Sequence, residues 1–313
     1  MGNVFAGAPC KDFPAQLSKV PGNRHDTLKN PGTLQDINKR TKDLWPTLFE
    51  GAKILACKAI SPHISIKHAF HMSSVYPSGY RFGISYCGAK FPEIRAGPLI
   101  YGEFSPNGDF SGVISHNFTD RLAFRGFTQM HQQKQINESS FFLDYFGNSY
   151  TGSFYVCDVH RMYESGSILL HYLQKLTNRI ALGTEFTMRW DGSQNKEEFT
   201  MLSLAGRYCS NTSMLCATVS PHALDVYFYQ KANAKLHIGT ELSINLRTNK
   251  SSATILYRLE MDSIIFKGLI NSDWNVGATV EKCMCNMPIS LIFSGLMNHN
   301  NGQFRMGIGM QTE

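Results

Sequence analysis

The chain has 313 residues, of which 42% are hydrophobic, 17% charged and 12% aromatic, with a formal net charge of +6. The charged fraction is below the roughly 25% usual for soluble domains, yet the uninterrupted apolar stretches, such as residues 168–170, are a handful of residues long. Membrane-spanning helices, which need about 20 mostly apolar residues, are excluded, and no charged start leads into the apolar run of a secretory signal.

Residues 1–30 are rich in Gly, Pro, Asn and Lys and are expected to be poorly ordered or extended. Residues 31–48 predict an amphipathic helix and its connector. Thr33 can cap the helix, and Asp36 occupies the capping-box position, where its charge suits the helix N-terminus. Leu34, Ile37 and Leu44 fall on one side, Lys39, Arg40 and Lys42 are polar, and Trp45-Pro46 ends the pattern. A helix this short is marginal in water, so it must pack against something.

From residue 49 to residue 313 the period is two. Ile180, Leu182, Thr184, Phe186, Met188 and Trp190 alternate with Arg179, Ala181, Gly183, Glu185, Thr187 and Arg189. Leu236, Ile238, Thr240, Leu242, Ile244 and Leu246 alternate with His237, Gly239, Glu241, Ser243, Asn245 and Arg247, and similar alternation runs over 253–260 and 303–311. Each segment therefore has one apolar and one polar face. Turn signals such as Pro106-Asn107-Gly108-Asp109 and His299-Asn300-Asn301-Gly302 divide the stretch into about nineteen strands of roughly 10 to 13 residues. Helical periodicity does not interrupt them, which excludes parallel βαβ folds.

Strands of that length joined by tight turns match a tilted membrane crossing rather than the 5- or 6-residue strands of soluble sheets. Charged side chains on the polar faces would cost several kcal/mol per unpaired ion in a dry core, but not when they face water. The predicted fold is all-β: a transmembrane antiparallel barrel of about nineteen strands, with apolar residues toward lipid and polar residues toward a wet lumen. An odd strand count makes the first and last strands parallel. The lumenal acids are expected at Glu103, Asp144, Glu185, Glu241, Glu260, Asp273 and Glu281, and the lumenal bases at Arg81, Arg125, Arg179, Arg207, Arg247, Arg258, Lys267 and Arg305. Phe142 and Phe146 spoil the polar face between residues 121 and 164.

Catalytic signatures are missing: there is no GxSxG, Walker loop, helix-opening GxGxxG or HExxH. The eight cysteines show no zinc spacing, and the basic residues form no cluster interleaved with aromatics. The chain is therefore expected to be no enzyme, to need no metal or cofactor, and to bind no nucleic acid.

Short segments in order along the chain carry a resemblance. They include Asn30-Pro31-Gly32-Thr33, Phe49-Glu50-Gly51, His171-Tyr172-Leu173-Gln174, Ala181-Leu182-Gly183, Ser203-Leu204-Ala205-Gly206, Phe266-Lys267-Gly268, Val276-Gly277-Ala278-Thr279 and Gln303-Phe304-Arg305. Over nearly the whole chain from Asn30, it resembles the channel-forming subunits of the mitochondrial outer-membrane protein translocase, within the eukaryotic mitochondrial porin superfamily. The resemblance implies a nineteen-stranded barrel with the N-terminal helix inside the pore and both termini in the intermembrane space. It also implies two barrels held by a single-span receptor subunit, with small single-span helical subunits around them and outer-membrane lipids outside. The last strand is similar to the signal read by the barrel-insertion machinery: Arg305, Gly307 and Met310 fit, while Thr312 replaces a second large apolar residue.

On this reading the cargo is unfolded precursor proteins, whose targeting segments are basic amphipathic helices. A conduit for them wants acids that attract without binding tightly, and Glu241, Glu260 and Glu281 are expected to form one acidic patch. For the helix, lying on a membrane surface and acting as a targeting signal compete with lining the pore, which its tight connection to the first strand favours. Two alternative functions stand beside the conduit: a metabolite pore similar to the voltage-dependent anion channel, and a soluble β-rich binding protein.

Overall fold

The computed structural model describes residues 30–75, 78–88, 97–131, 136–160, 165–190, 199–284 and 287–312. The predicted N-terminal segment before Asn30, together with Cys10 and Cys285, lies outside the described residues.

A single turn of helix, α1 (Lys39–Lys42), precedes the strands β1 (Gly51–Ala59), β2 (Ile64–Met72), β3 (Gly79–Cys87), β4 (Leu99–Phe104), β5 (Phe110–Asn117) and β6 (Leu122–His131). There follow β7 (Ile136–Phe146), β8 (Tyr150–His160), β9 (Ser165–Lys175), β10 (Ile180–Trp190), β11 (Phe199–Cys209), β12 (Ser213–Val219) and β13 (Ala223–Lys231). The last are β14 (Leu236–Asn245), β15 (Lys250–Glu260), β16 (Ile264–Asn271), β17 (Asn275–Cys283), β18 (Ile289–Asn298) and β19 (Gln303–Thr312).

Each strand pairs antiparallel with its sequence neighbours, and β1 closes the ring by pairing parallel with β19, Gly51 opposite Gly307 and Leu55 opposite Gln311. Closure satisfies the backbone hydrogen bonds that an open edge would leave bare in hydrocarbon. The strands are 6 to 11 residues long, shorter than the predicted 10 to 13, because the turns absorb residues at both ends. A 9- to 11-residue strand tilted near 45° spans the hydrocarbon thickness.

Because opposite residues in the ladder share a face, the register carries one face assignment around the whole ring. From β10 outward, Glu185 opposes His171 and Ser203; the same face continues through Arg207, Cys216, Tyr227, Glu241 and Thr254. The other face carries exposed Ile54, Phe70, Ile84, Leu182, Leu204, Phe228, Ile255, Ile270, Phe293 and Ile308. An apolar exterior around a polar interior is the arrangement of a barrel in lipid. Nineteen strands about 4.8 Å apart and tilted roughly 40° close into a tube about 38 Å across between backbones.

Candidate functional site

The lumen is divided by residues 30–49, which run along the inside of the wall. Asn30 Nδ2 donates to the carbonyls of Gly147 (2.6 Å) and Tyr150, and its Oδ1 accepts from Thr151. Arg207 donates to the Pro31 carbonyl at 2.7 Å, the Cys216 thiol to the Ile37 carbonyl at 3.0 Å, and Phe49 N–H to Ser294 Oγ at 3.1 Å. Leu34, Ile37 and Leu44 are at most 2% exposed and pack with the lumenal side chains of Leu173, Ala181, Ala205, Met214, Tyr227, Tyr229, Leu256 and Leu269. Lys39, Arg40 and Lys42 stay exposed toward the lumen, with the Arg40 guanidinium 5.9 Å from the Tyr229 ring centre.

The predicted helix over residues 33–44 is corrected: only Lys39–Lys42 is α-helical. Residues 34–38 wind as tight turns, with Asp36 N–H bonded to the Thr33 carbonyl and Ile37 N–H to the Leu34 carbonyl. Thr33 Oγ1 does bond Asp36, at 3.0 Å, but the N-cap of the regular turn is Asn38, which makes no side-chain cap. The cause is the wall. The Ile37 carbonyl is taken by Cys216 and Thr41 N–H turns to the Asn38 carbonyl, so tertiary contacts override a helix too short to insist on its own geometry.

A row of polar side chains runs across five strands in direct ladder register: Asp144, Ser153, His171, Glu185 and Ser203. All five are buried. His171 Nε2 lies 2.8 Å from Glu185 Oε2, and Thr187 donates to Glu185 Oε1 at 3.1 Å. Arg125 donates to Asp144 Oδ2 and the Tyr155 hydroxyl to Asp144 Oδ1, both at 2.8 Å. Tyr155, fully buried, meets Phe142 and His171 edge-on, and Phe142, Tyr155, Cys157 and Leu169 form a small apolar cluster. Phe142 thus faces inward as the alternation required, covered by neighbours rather than by water.

Of the predicted lumenal acids, Glu103, Asp144, Glu185, Glu241, Glu260 and Glu281 share the inner face. So do Arg81, Arg125, Arg207, Arg258, Lys267 and Arg305 among the bases. Arg179, Arg247 and Asp273 lie outside the strands: each has the right parity, but Arg179 precedes β10, Arg247 follows β14 and Asp273 follows β16, in the connections at the rim. Of the C-terminal residues, Arg305 and Gly307 face the lumen and Met310 faces outward. Glu103 is bracketed by Lys67 and Arg81, each at 3.5 Å, and bonds the Tyr101 hydroxyl; Glu260 pairs with Arg258 at 2.7 Å.

Glu260 and Glu281 both oppose Ile265, on either side of β16, and so stand together. Glu241 opposes Thr254, six residues along β15 from Glu260, which is about 20 Å of strand. The three do not form one patch. Lys67, Asp225 and His171 also line the inner face and were not singled out from sequence. Parity alone would have found the first two.

The profile of the eukaryotic porin family matches residues 30–307. The chain is 33% identical to the mitochondrial import receptor subunit TOM40 homolog 2 of Drosophila melanogaster, over 99% of this chain and 94% of that protein. It is 30% identical to the mitochondrial import receptor subunit TOM40 homolog of Homo sapiens, over 90% of this chain and 78% of that protein. With the human subunit TOM40B it shares 28% identity over 99% of both. A closed tube with a parallel seam and a likeness running almost from end to end lead to one conclusion: the chain belongs to the eukaryotic porin family, alongside the TOM40 import receptor subunits.

Proposed function

We propose that this chain is the protein-conducting channel of the mitochondrial outer membrane, passing unfolded precursor proteins from the cytosol to the intermembrane space. The observation that carries the reading is the closed, charge-lined tube in a chain similar over nearly its full length to TOM40 subunits. Size supports it. A tube about 38 Å across loses about 5 Å of radius to side chains all round, and the wall-hugging segment takes another 10 Å or so from one side. Roughly 18 Å is left beside it. A helix with its side chains is about 10–12 Å wide and passes, whereas a folded 100-residue domain is about 34 Å across and does not.

Residues 30–49 act as an amphipathic lining of the pore, apolar side to the wall and basic side to the water. The acids Glu103 and Glu260, which keep some exposure to the lumen, each have a basic neighbour within ion-pair distance, so a cationic cargo meets exchangeable partners rather than a bare negative field, while Asp144 and Glu185 are buried in the wall. Such contacts guide without trapping. Arg305, Gly307 and Met310 serve as the insertion signal. The assembly has two barrels, a single-span receptor subunit and small helical subunits seated in the outer-membrane lipid.

In planar bilayers the reconstituted chain should form a cation-preferring channel blocked by a basic amphipathic presequence peptide. Anion preference with passage of nucleotides, and indifference to the peptide, would instead identify a metabolite pore. Reversing both Glu260 and Glu281 to lysine should weaken the peptide block several-fold more than reversing Asp273 in the rim turn; equal effects would remove the carboxylates from the cargo path.

A further inference from the structure

Residues 30–49 cross the wall where side chains are missing. A methyl group at lumen-facing Gly183 would stand 2.7 Å from Leu34 Cδ1, at Gly239 2.6 Å from Leu44 Cδ1, and at Gly277 2.9 Å from Leu48 Cδ1. At Gly307 it would meet the backbone carbonyl of Phe49, and at Gly309 it would stand 3.0 Å from the end of the Phe49 ring. These positions lie on β10, β14, β17 and β19, so the notches follow the path of the segment rather than any single strand. On the lipid face Gly152 and Gly295 have open space where a side chain would stand, while Gly166 and Gly268 lie under the rings of Trp190 and Tyr257 on the neighbouring strands.

Glycine weakens a strand and often marks a bend or a close approach of another backbone, and the two uses can be told apart here. At Gly183 a methyl would also lie 2.8 Å from the Tyr172 carbonyl, so the wall itself restricts that position. At Gly239 the nearest wall atom is the Phe228 carbonyl at 3.4 Å, an ordinary contact, whereas Leu44 is 0.8 Å nearer (3.4 − 2.6). At Gly277 the nearest atom is again on the segment, with Leu269 at 3.3 Å. The wall leaves room for a side chain at 239, and what stands in its way is the Leu44 side chain of the segment, which would have to shift.

We infer that Gly239 and Gly277 are positioning residues: they seat Leu44 and Leu48, hold residues 30–49 flush against the wall, and thereby set the free bore of the pore. The inference deepens the reading of the chain as a conduit and rests on it for the meaning of the bore. The seat itself can be measured without transport, because Cys216 is completely buried beneath the segment and bonded to the Ile37 carbonyl. Lifting the segment uncovers that thiol.

The test compares Gly239→Val, Leu44→Ala and the double variant, with Gly277→Val and Leu48→Ala as a second set, all in the full chain refolded in detergent. Alkylation of Cys216 by a water-soluble maleimide, followed site by site by mass spectrometry, should be slow in the parent chain and in both double variants. It should be many-fold faster in Gly239→Val. The conductance of the main open state in potassium chloride should fall in Gly239→Val, as the middle of the segment is pushed toward the axis, and should return with Leu44→Ala. Protection of Cys216 at the parent level in Gly239→Val overturns the seat. So does failure of Leu44→Ala to restore a closed barrel, protection and conductance together, since the fault would then lie in the wall. A parent chain with protected Cys216 but no channel would sink the conduit and leave the seat standing.

Discussion

Replacing Arg125 with leucine should destabilise the barrel by about 3 kcal/mol, because the substitution strands a buried carboxylate. Asp144 is 1% exposed and has two described side-chain partners, the Arg125 guanidinium and the Tyr155 hydroxyl, each at 2.8 Å. Breaking a fully buried pair costs about 3–5 kcal/mol. The lower end applies because the Arg125 side chain is 38% exposed to the lumen and water screens part of the loss. The same arginine stacks near the Phe142 ring, 5.7 Å from its centre, so some packing goes with the charge. Adding Asp144→Asn to Arg125→Leu should recover more than half of the loss, since an amide left in that place is far less costly than an anion. Urea unfolding of the chain refolded in detergent measures both. A loss under about 1 kcal/mol would reduce the pair to an ordinary solvated contact.

That site shows where the alternation could be read directly and where it could not. In β10 and β14 the inner face is polar and the outer face apolar, and the face of Glu185 and Glu241 followed from counting in twos. In β9 the pattern fails. Leu169, His171 and Leu173 point inward while Leu170 and Tyr172 point outward, so both faces look apolar. The reason is tertiary: Leu173 packs in the cluster that includes Leu34, and Leu169 against Phe142, Tyr155 and Cys157. Water does not select polar residues where the inner face is covered. His171 was hidden by its apolar neighbours, and its pairing with Glu185 depends on the register between strands, which period two cannot supply. Arg179, Arg247 and Asp273 illustrate the converse limit, since parity assigns a face but does not say where a strand stops. Residues 34–44 had amphipathic spacing and the right buried set, but their backbone path was decided by hydrogen-bond partners on strands more than 150 residues away in sequence.

The step on which the whole arrangement turns can be tested at two adjacent apolar residues. Ile292 and Phe293 sit side by side in β18, and hydrophobicity alone gives no reason to treat them differently. The ladder separates them. Ile292 opposes Glu281 and Gly309 on the inner face, while Phe293 opposes Val280 and Ile308 on the outer face and is 46% exposed there. Phe293 lies near the middle of Ile289–Asn298, and so near the midplane of the bilayer. Arginine at 293 should therefore lower stability in phosphatidylcholine vesicles by about 2–4 kcal/mol, the penalty for a guanidinium on a barrel's lipid face at that depth. Arginine at 292 should lower it by about 1 kcal/mol or less, because it enters water beside the Glu281 carboxylate. Folding yield and urea midpoints in the same vesicles give the comparison. Equal penalties would mean that the inner face is as dry as the outer, and a larger penalty at 292 would mean that the charged face, not the apolar one, meets the lipid.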